Sequence, residues 1–301
     1  MRHINPNILY YMAIGDAYAL GAEYIPEDHP NNEQLLKFEK YISHPKYPLA
    51  PGVFTDDTQM SIANSEVLIA GPPYDNIAWA NAWVDVFKRD PRKGYSKRFQ
   101  KYLEETDSGI DFLKTINPES NKNGAAMRSP VLGVLKTPAE VLKLSRDQAA
   151  ITHNTPGGIF GAQAVALMSH YALWSYGPMD RINLGEYLIE HLGKDLVKGG
   201  IFKNVIVTPW EGRVAGEEMG INTAWSVFEL LVSCNSLLEM LRRTIELGGD
   251  TDSVAAIALG IGSCRLPDDL PEFLHTGLED GKYGGRFLKR LGTKLMVKFG
   301  T

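Results

Sequence analysis

Two short runs in this chain set acidic and hydroxyl side chains side by side: Phe54-Thr55-Asp56-Asp57-Thr58-Gln59-Met60 and Leu247-Gly248-Gly249-Asp250-Thr251-Asp252-Ser253-Val254. Each follows a glycine-containing turn and leads into an apolar-periodic stretch, so each is expected at a helix start. Acidic and hydroxyl residues there cap free backbone N–H groups and complement the positive end of the helix dipole, and capping alone explains either run taken singly. Two runs that converge ask for more. Four carboxylates in a small volume raise one another's pKa values and cost stability unless cations neutralise them. Every candidate donor is an oxygen, with no histidine or cysteine at zinc-like spacing, which favours magnesium or manganese over zinc. Such ions leave positions open to a water or to substrate hydroxyls, and hydrolysis is the implied chemistry.

The segments that must position these acids read as helices. Apolar residues recur at three- and four-residue spacing in Trp79, Ala82, Trp83, Val86 and Phe87, and again in Trp225, Phe228, Leu231 and Val232. Helix starts are expected after Pro72-Pro73, at Thr137-Pro138, and at Pro156-Gly157-Gly158 before an apolar run to Trp174. Strand patterns are scarce, Val205 to Val207 being one short candidate. The expectation is an all-α protein of about a dozen helices, judged by typical helix length. Asp195 to Asn222, glycine-rich and containing Pro209-Trp210-Glu211-Gly212, reads as an ordered loop or rim. A chain of 301 residues could divide into two domains, since cores stop growing near roughly 250 to 300 residues. Acid runs near both ends that must meet argue instead for one domain over residues 1–301.

Composition removes several classes of function. The net charge is −5 with acids and bases interspersed, so no broad positive surface awaits a nucleic-acid backbone. The two cysteines, Cys234 and Cys264, lie in apolar stretches far apart and are expected as buried thiols. No uninterrupted apolar stretch reaches membrane-spanning length and no secretory leader is evident, so no membrane association and a cytoplasmic location are expected.

The sequence resembles the ADP-ribosylglycohydrolase family along nearly its whole length. Besides the two acidic runs, the likeness rests on Gly15-Asp16-Ala17-Tyr18-Ala19-Leu20-Gly21-Ala22-Glu23, Asn123-Gly124-Ala125-Ala126-Met127-Arg128 and Thr152-His153. It implies a compact single-domain orthogonal helical bundle with a site built from both ends of the chain around two Mg2+ (or Mn2+) ions. In that reading Thr55, Asp56 and Asp57 serve one ion, Asp250, Asp252 and Ser253 serve the other, and Asp252 bridges. Glu23 lies over the metals as the key acid, with Asp57 and Asp252 as its catalytic companions, and Asp16 supports the site. Relatives often carry threonine where Ser253 stands, and either hydroxyl has a lone pair for a metal.

ADP-ribose carries a pyrophosphate, which a protein of net negative charge must hold with local dipoles. The resemblance implies Ser120, Asn123 and Gly124 for this, at a loop entering a helix whose free N–H groups face an anion. Relatives are richer in glycine just before this point, where this chain has Glu119-Ser120-Asn121-Lys122. Gly94 and Ser96, in Arg92-Lys93-Gly94-Tyr95-Ser96, form a second candidate, against the plainer reading of a surface turn. His153 is expected to face the nucleotide as a hydrogen-bond donor, against the plainer reading of a core or capping histidine. Trp210 and Trp225 could stack on adenine, although aromatics at helical spacing are more often core.

The activity implied is metal-dependent release of ADP-ribose from an acceptor, whether an ADP-ribosylated macromolecule or an ADP-ribose-containing small molecule. The rival readings are a non-catalytic ADP-ribose-binding or immunity protein, and a paired-metal hydrolase for another nucleotide-like substrate. An intact Glu23 argues against the first.

Overall fold

The computed structural model describes residues 3–47, 49–193 and 208–300. Those residues form fifteen α-helices: α1 (Ile8–Ala19), α2 (Pro30–Leu35), α3 (Asp56–Ala70), α4 (Asn76–Arg89), α5 (Lys97–Glu105), α6 (Gly109–Thr115), α7 (Gly124–Met127), α8 (Pro138–Ala150), α9 (Pro156–Trp174), α10 (Arg181–Leu192), α11 (Met219–Ser233), α12 (Leu237–Leu247), α13 (Thr251–Gly262), α14 (Glu272–Thr276) and α15 (Gly285–Phe299). Two 3-10 turns, Leu20–Ala22 and Pro130–Val134, complete the regular structure of the described residues. The described residues contain no strand, only two isolated bridges, Glu119 with His153 and Val214 with Gly249. The protein is all-α, as expected. The candidate strand Val205 to Val207 and the first part of the loop beginning at Asp195 lie outside the described residues.

Helix starts follow the chemistry of their first turns. Thr137 and Glu140 form a reciprocal capping box at α8, with Pro138 supplying a helical φ without needing its missing N–H. Thr155 caps α9 in the same position relative to Pro156, and Asp75 caps α4 after the Pro72-Pro73 turn. The apolar stripe of α4 turns Trp79, Trp83, Val86 and Phe87 inward.

Two helices, α1 and α13, are apolar on every side and buried along their whole length, which places them at the centre of the core. Their mutual packing is the most extensive between any two elements. It depends on small residues. A Cβ on Gly15 would fall 2.4 Å from the Ala255 carbonyl oxygen, and one on Gly260 would fall 2.4 Å from the Met12 side chain. These pairs run in opposite directions along the two chains, so the helices are antiparallel and the end of α1 lies beside the start of α13. There the Thr251 hydroxyl donates to the Ala19 carbonyl at 2.8 Å. The start of α3 packs against the same end, because α3 touches both central helices. Backbone approach permitted by Gly15 is thus what allows residues 16, 55–58 and 250–253 to share one location.

No helix among the described residues is long and apolar enough to cross a membrane. Both cysteines are free and buried, as expected.

Candidate metal centre

Asp16, fully buried near the end of α1, organises the first acidic run. Its Oδ1 accepts from the Thr55 N–H (3.0 Å) and the Thr55 hydroxyl (2.8 Å), and its Oδ2 accepts from the Thr58 N–H (3.1 Å) and the Thr58 hydroxyl (2.7 Å). The hydroxyl at the N-cap of α3 therefore bonds to another helix, and it makes no side-chain cap bond at all. Asp56 and Asp57 in that first turn are left pointing into the site. Burial pushes the Asp16 carboxyl up to about 6, against the pull of its four hydrogen-bonding groups.

The second run is held mainly by backbone. Gly248 and Gly249 adopt φ of +65° and +83°, conformations that side chains rarely take. The turn they make lets the Asp250 N–H donate to the Val214 carbonyl (2.9 Å) and the Gly249 carbonyl accept from the Tyr24 N–H (2.8 Å). Asp250 occupies the N-cap of α13 without capping it. Its Oδ2 accepts instead from the Tyr24 phenol (3.0 Å) and the Asn123 amide (3.2 Å). Capping, sufficient as a sequence-level explanation of either run, is thus not what Thr55 or Asp250 does.

The acids converge in two trios. Asp16, Asp57 and Asp252 each offer an oxygen within 4.8 Å of the others, and so do Glu23, Asp250 and Asp252. Asp252 belongs to both. Asp56 is in neither trio, although it lies one residue from Asp57 and its Oδ1 comes against Gly94. Crowding has the expected electrostatic consequence. Burial, and then the neighbouring acids, hold Asp56, Asp57 and Asp252 well above the usual carboxylate range. Burial and then Asp250 push Glu23 to about 9. Among the described residues, Asp57 Oδ1 is buried without a hydrogen-bond partner. A carboxylate oxygen left bare beside two other acids fits a bound cation, which would satisfy it and neutralise the cluster.

A family model described as ADP-ribosylglycohydrolase matches residues 9–299. The chain belongs to that family. Its members are glycosidase-type hydrolases, and the chain is similar to human ADP-ribosylhydrolase ARH3, with 26% identity over 266 residues covering 73% of this chain and 72% of the relative. The ADP-ribosyl-[dinitrogen reductase] glycohydrolase of Rhodospirillum rubrum is 24% identical over 86% of this chain and 85% of its own. ADP-ribosylarginine hydrolase Tri1 of Pseudomonas putida (strain GB-1) is 22% identical over 82% of this chain and 66% of its own. A solved ADP-ribosylglycohydrolase-related protein complex aligns with a TM-score of 0.72 at 18% identity, covering 96% of this chain and 95% of that one, which shows the shared fold.

The remaining residues expected from the family likeness divide into two groups. Gly94 comes directly against the acids: at φ +113° it lies so close that a Cβ would fall 2.1 Å from Asp56 Oδ1. Asn123 reaches the same cluster through its bond to Asp250. Gly124 faces His153, whose Nε2 would lie 3.2 Å from a Cβ at that position. Ser253 sits in the first turn of α13 and Thr55 at the start of α3, both buried beside the trios. Ser96 and Ser120 have local duties. The Ser96 hydroxyl caps α5 by accepting from the Phe99 N–H, and the Ser120 hydroxyl accepts from the Lys122 N–H. The loop entering α7 is followed by a helix of only four residues, too short for a substantial dipole.

Arg92, read in the sequence as one of two basic residues beside a phosphate turn, has another occupation. Its guanidinium lies 3.5 Å from the centre of the Phe54 ring, donates to the Phe54 carbonyl and pairs with Asp90 and Glu279. Glu279 also accepts from the Phe54 N–H (3.1 Å). Arg92 and Glu279 thereby clamp the strand of chain that enters Thr55. Trp210 and Trp225 pack against each other with ring centroids 6.5 Å apart, on the edge of the core. Tyr24 and Tyr47 were not singled out from the sequence, yet Tyr24 bonds Asp250 and Tyr47 lies close enough to Glu23 to influence its carboxyl. His44 stacks on Tyr47 at 4.1 Å and its Nε2 bonds the Glu23 carbonyl. A tyrosine in a loop carries no pattern that marks it.

Proposed function

We propose that this chain hydrolyses the glycosidic bond joining ADP-ribose to an acceptor, with two magnesium or manganese ions held in the acidic cluster. The observation that carries this reading is the pair of carboxylate trios sharing Asp252 in a chain of this family. Thr55, Asp56 and Asp57 would hold one ion and Asp250, Asp252 and Ser253 the other, with Asp252 placed in both trios. Asp16 is a positioning residue, since its oxygens are already committed to Thr55 and Thr58. Divalent cations held there supply positive charge that neutralises the carboxylates and orients hydroxyl-bearing substrate.

The chain's own groups account for the rest. Gly94 and Gly124 leave backbone open to the ligand, Asn123 fixes Asp250, and His153 presents a ring N–H. Binding places the anomeric carbon of the distal ribose beside a water, and orientation lowers the barrier to attack. As the bond from that carbon to the acceptor breaks, positive charge on the sugar is tolerated by the surrounding carboxylates. Glu23 takes a proton from the attacking water on a carboxylate oxygen as the water oxygen bonds the anomeric carbon, and that proton passes on to the acceptor atom that departs. Ser96 and Ser120 stand as outer contacts to the phosphates through their loops.

The test is a panel of acceptors ADP-ribosylated on arginine, serine or a nucleobase, each offered with magnesium, manganese or EDTA while free ADP-ribose is measured. Release from at least one acceptor, abolished by EDTA and by Glu23→Gln, is expected. Tight ADP-ribose binding with no release from any acceptor would overturn the enzymatic reading in favour of a binding module.

A further inference from the structure

Arg128 is 1% exposed and has no carboxylate within ion-pairing distance among the described residues. Its guanidinium is satisfied by neutral oxygens: the Gly124 carbonyl (3.0 Å), the Gln148 carbonyl (3.1 Å) and side-chain oxygen, and the Thr152 hydroxyl (2.8 Å), with the Trp83 ring 4.2 Å beneath it. A buried cation without a counter-charge is costly, and an apolar side chain would fill the same space at less cost. The arrangement therefore calls for a use. Arginine can only donate, so the Thr152 oxygen accepts from it, and the single Thr152 proton is free to point elsewhere. The acceptor within its reach among the described residues is His153 Nδ1, 2.7 Å away. With Nδ1 accepting that proton, the ring's own proton sits on Nε2. His153 is 8% exposed, and Nε2 has no hydrogen-bond partner among the described residues. It faces Gly124, where an added Cβ would come within 3.2 Å.

We propose that Arg128 is a positioning residue that acts through the Thr152 hydroxyl to hold His153 as the neutral tautomer with its proton on Nε2, aimed at the ligand over Gly124. That the ligand is ADP-ribose rests on the function proposed above; the tautomer does not. Burial, and then the Arg128 charge, push His153 down to about 3, so the ring stays neutral through the working pH range. Arg128 also bonds the Gly124 carbonyl, so one side chain sets both the donor and the turn that faces it.

The test is a long-range nitrogen–proton correlation spectrum of the ring nitrogens in histidine-labelled protein, with the His153 signals assigned by their loss in His153→Gln. In the wild type Nε2 should carry the proton and Nδ1 should be unprotonated, unchanged between pH 5.5 and 8. Thr152→Val should shift the proton toward Nδ1 and weaken ADP-ribose binding by about tenfold, the worth of one good hydrogen bond. Thr152→Ser should restore both. Arg128→Met should reproduce the Thr152→Val spectrum, and if that variant does not fold, the two Thr152 variants still decide the relay. A wild-type proton on Nδ1, or a Thr152→Val spectrum and affinity equal to wild type, would overturn the inference. The expected tautomer in a wild type that binds no ADP-ribose would uphold the relay and sink the substrate assignment instead.

Discussion

The two acid-bearing helix starts look alike as sequence, Thr-Asp-Asp-Thr at residues 55–58 and Asp-Thr-Asp-Ser at 250–253, but they are held in different ways. The start of α3 is held by side chains, with one carboxylate, Asp16, gathering the N–H and hydroxyl groups of Thr55 and Thr58. The start of α13 is held by backbone, with Gly248 and Gly249 turning the chain so that Val214 and Tyr24 can bond to it. Such a division suits a paired site. One half is set by an interaction that a single atom can remove, and the other by a chain path that tolerates the loss of any one side chain.

The largest effect should come from Asp16→Asn, which replaces one of the two acceptor oxygens with an NH2 set against the donors that oxygen served. Supporting residues of this kind typically contribute 10- to 100-fold, so metal affinity and turnover should both fall by about 100-fold, read by calorimetry and an ADP-ribose release assay. A loss of less than about threefold would mean that the first helix start does not depend on Asp16. Gly249→Ala attacks the other half through its backbone. The new Cβ would lie 2.3 Å from the Val214 carbonyl at a φ of +83°, and such strain costs about 1 to 3 kcal/mol, visible as a lower midpoint in a thermal melt. Removing only a side chain there should do less. Asn123→Ala deletes one of two donors to Asp250 and should weaken metal binding by about tenfold or less, since the backbone path survives. If Asn123→Ala proved as damaging as Asp16→Asn, the contrast between the halves would be gone.

The smallest effect is on pH dependence. Asp16 at about 6 and Glu23 at about 9 stand above the ordinary carboxyl values near 4. Between those limits the folded, metal-free chain binds more protons than the unfolded one, so its stability falls as pH rises. Asp16 makes its share of that change by about pH 6 and Glu23 by about pH 9. Melting in EDTA should therefore drop from pH 5 to pH 9, while saturating magnesium flattens the trend. A metal-free melting point that rises over this interval would contradict the crowding of the acids.

What could be read in the sequence was whatever local pattern controls. Periodicity placed α4 and α11, proline and threonine marked the starts of α8 and α9, and glycine next to acid marked both halves of the site. What stayed hidden was pairing across the chain. The family likeness gives Asp16 a supporting place, but local pattern does not show what it holds, the hydroxyl and N–H groups of Thr55, 39 residues on, and of Thr58. Arg92 shows its charge but not its partner Glu279, 187 residues away, so its part in clamping the chain before Thr55 is not legible from the turn it sits in. Ser96 and Ser120 gain their appeal from neighbouring glycine and asparagine; each hydroxyl also accepts from a nearby backbone N–H, a local bond that leaves its own proton for another acceptor.

The most direct test is a manganese titration followed by electron paramagnetic resonance. Two ions per chain with the broadened signal of spins coupled at close range are expected, reduced to at most one uncoupled ion by Asp252→Ala. A single isolated ion in the wild type, or binding indifferent to Asp252, would contradict a paired site that spans the two helix starts.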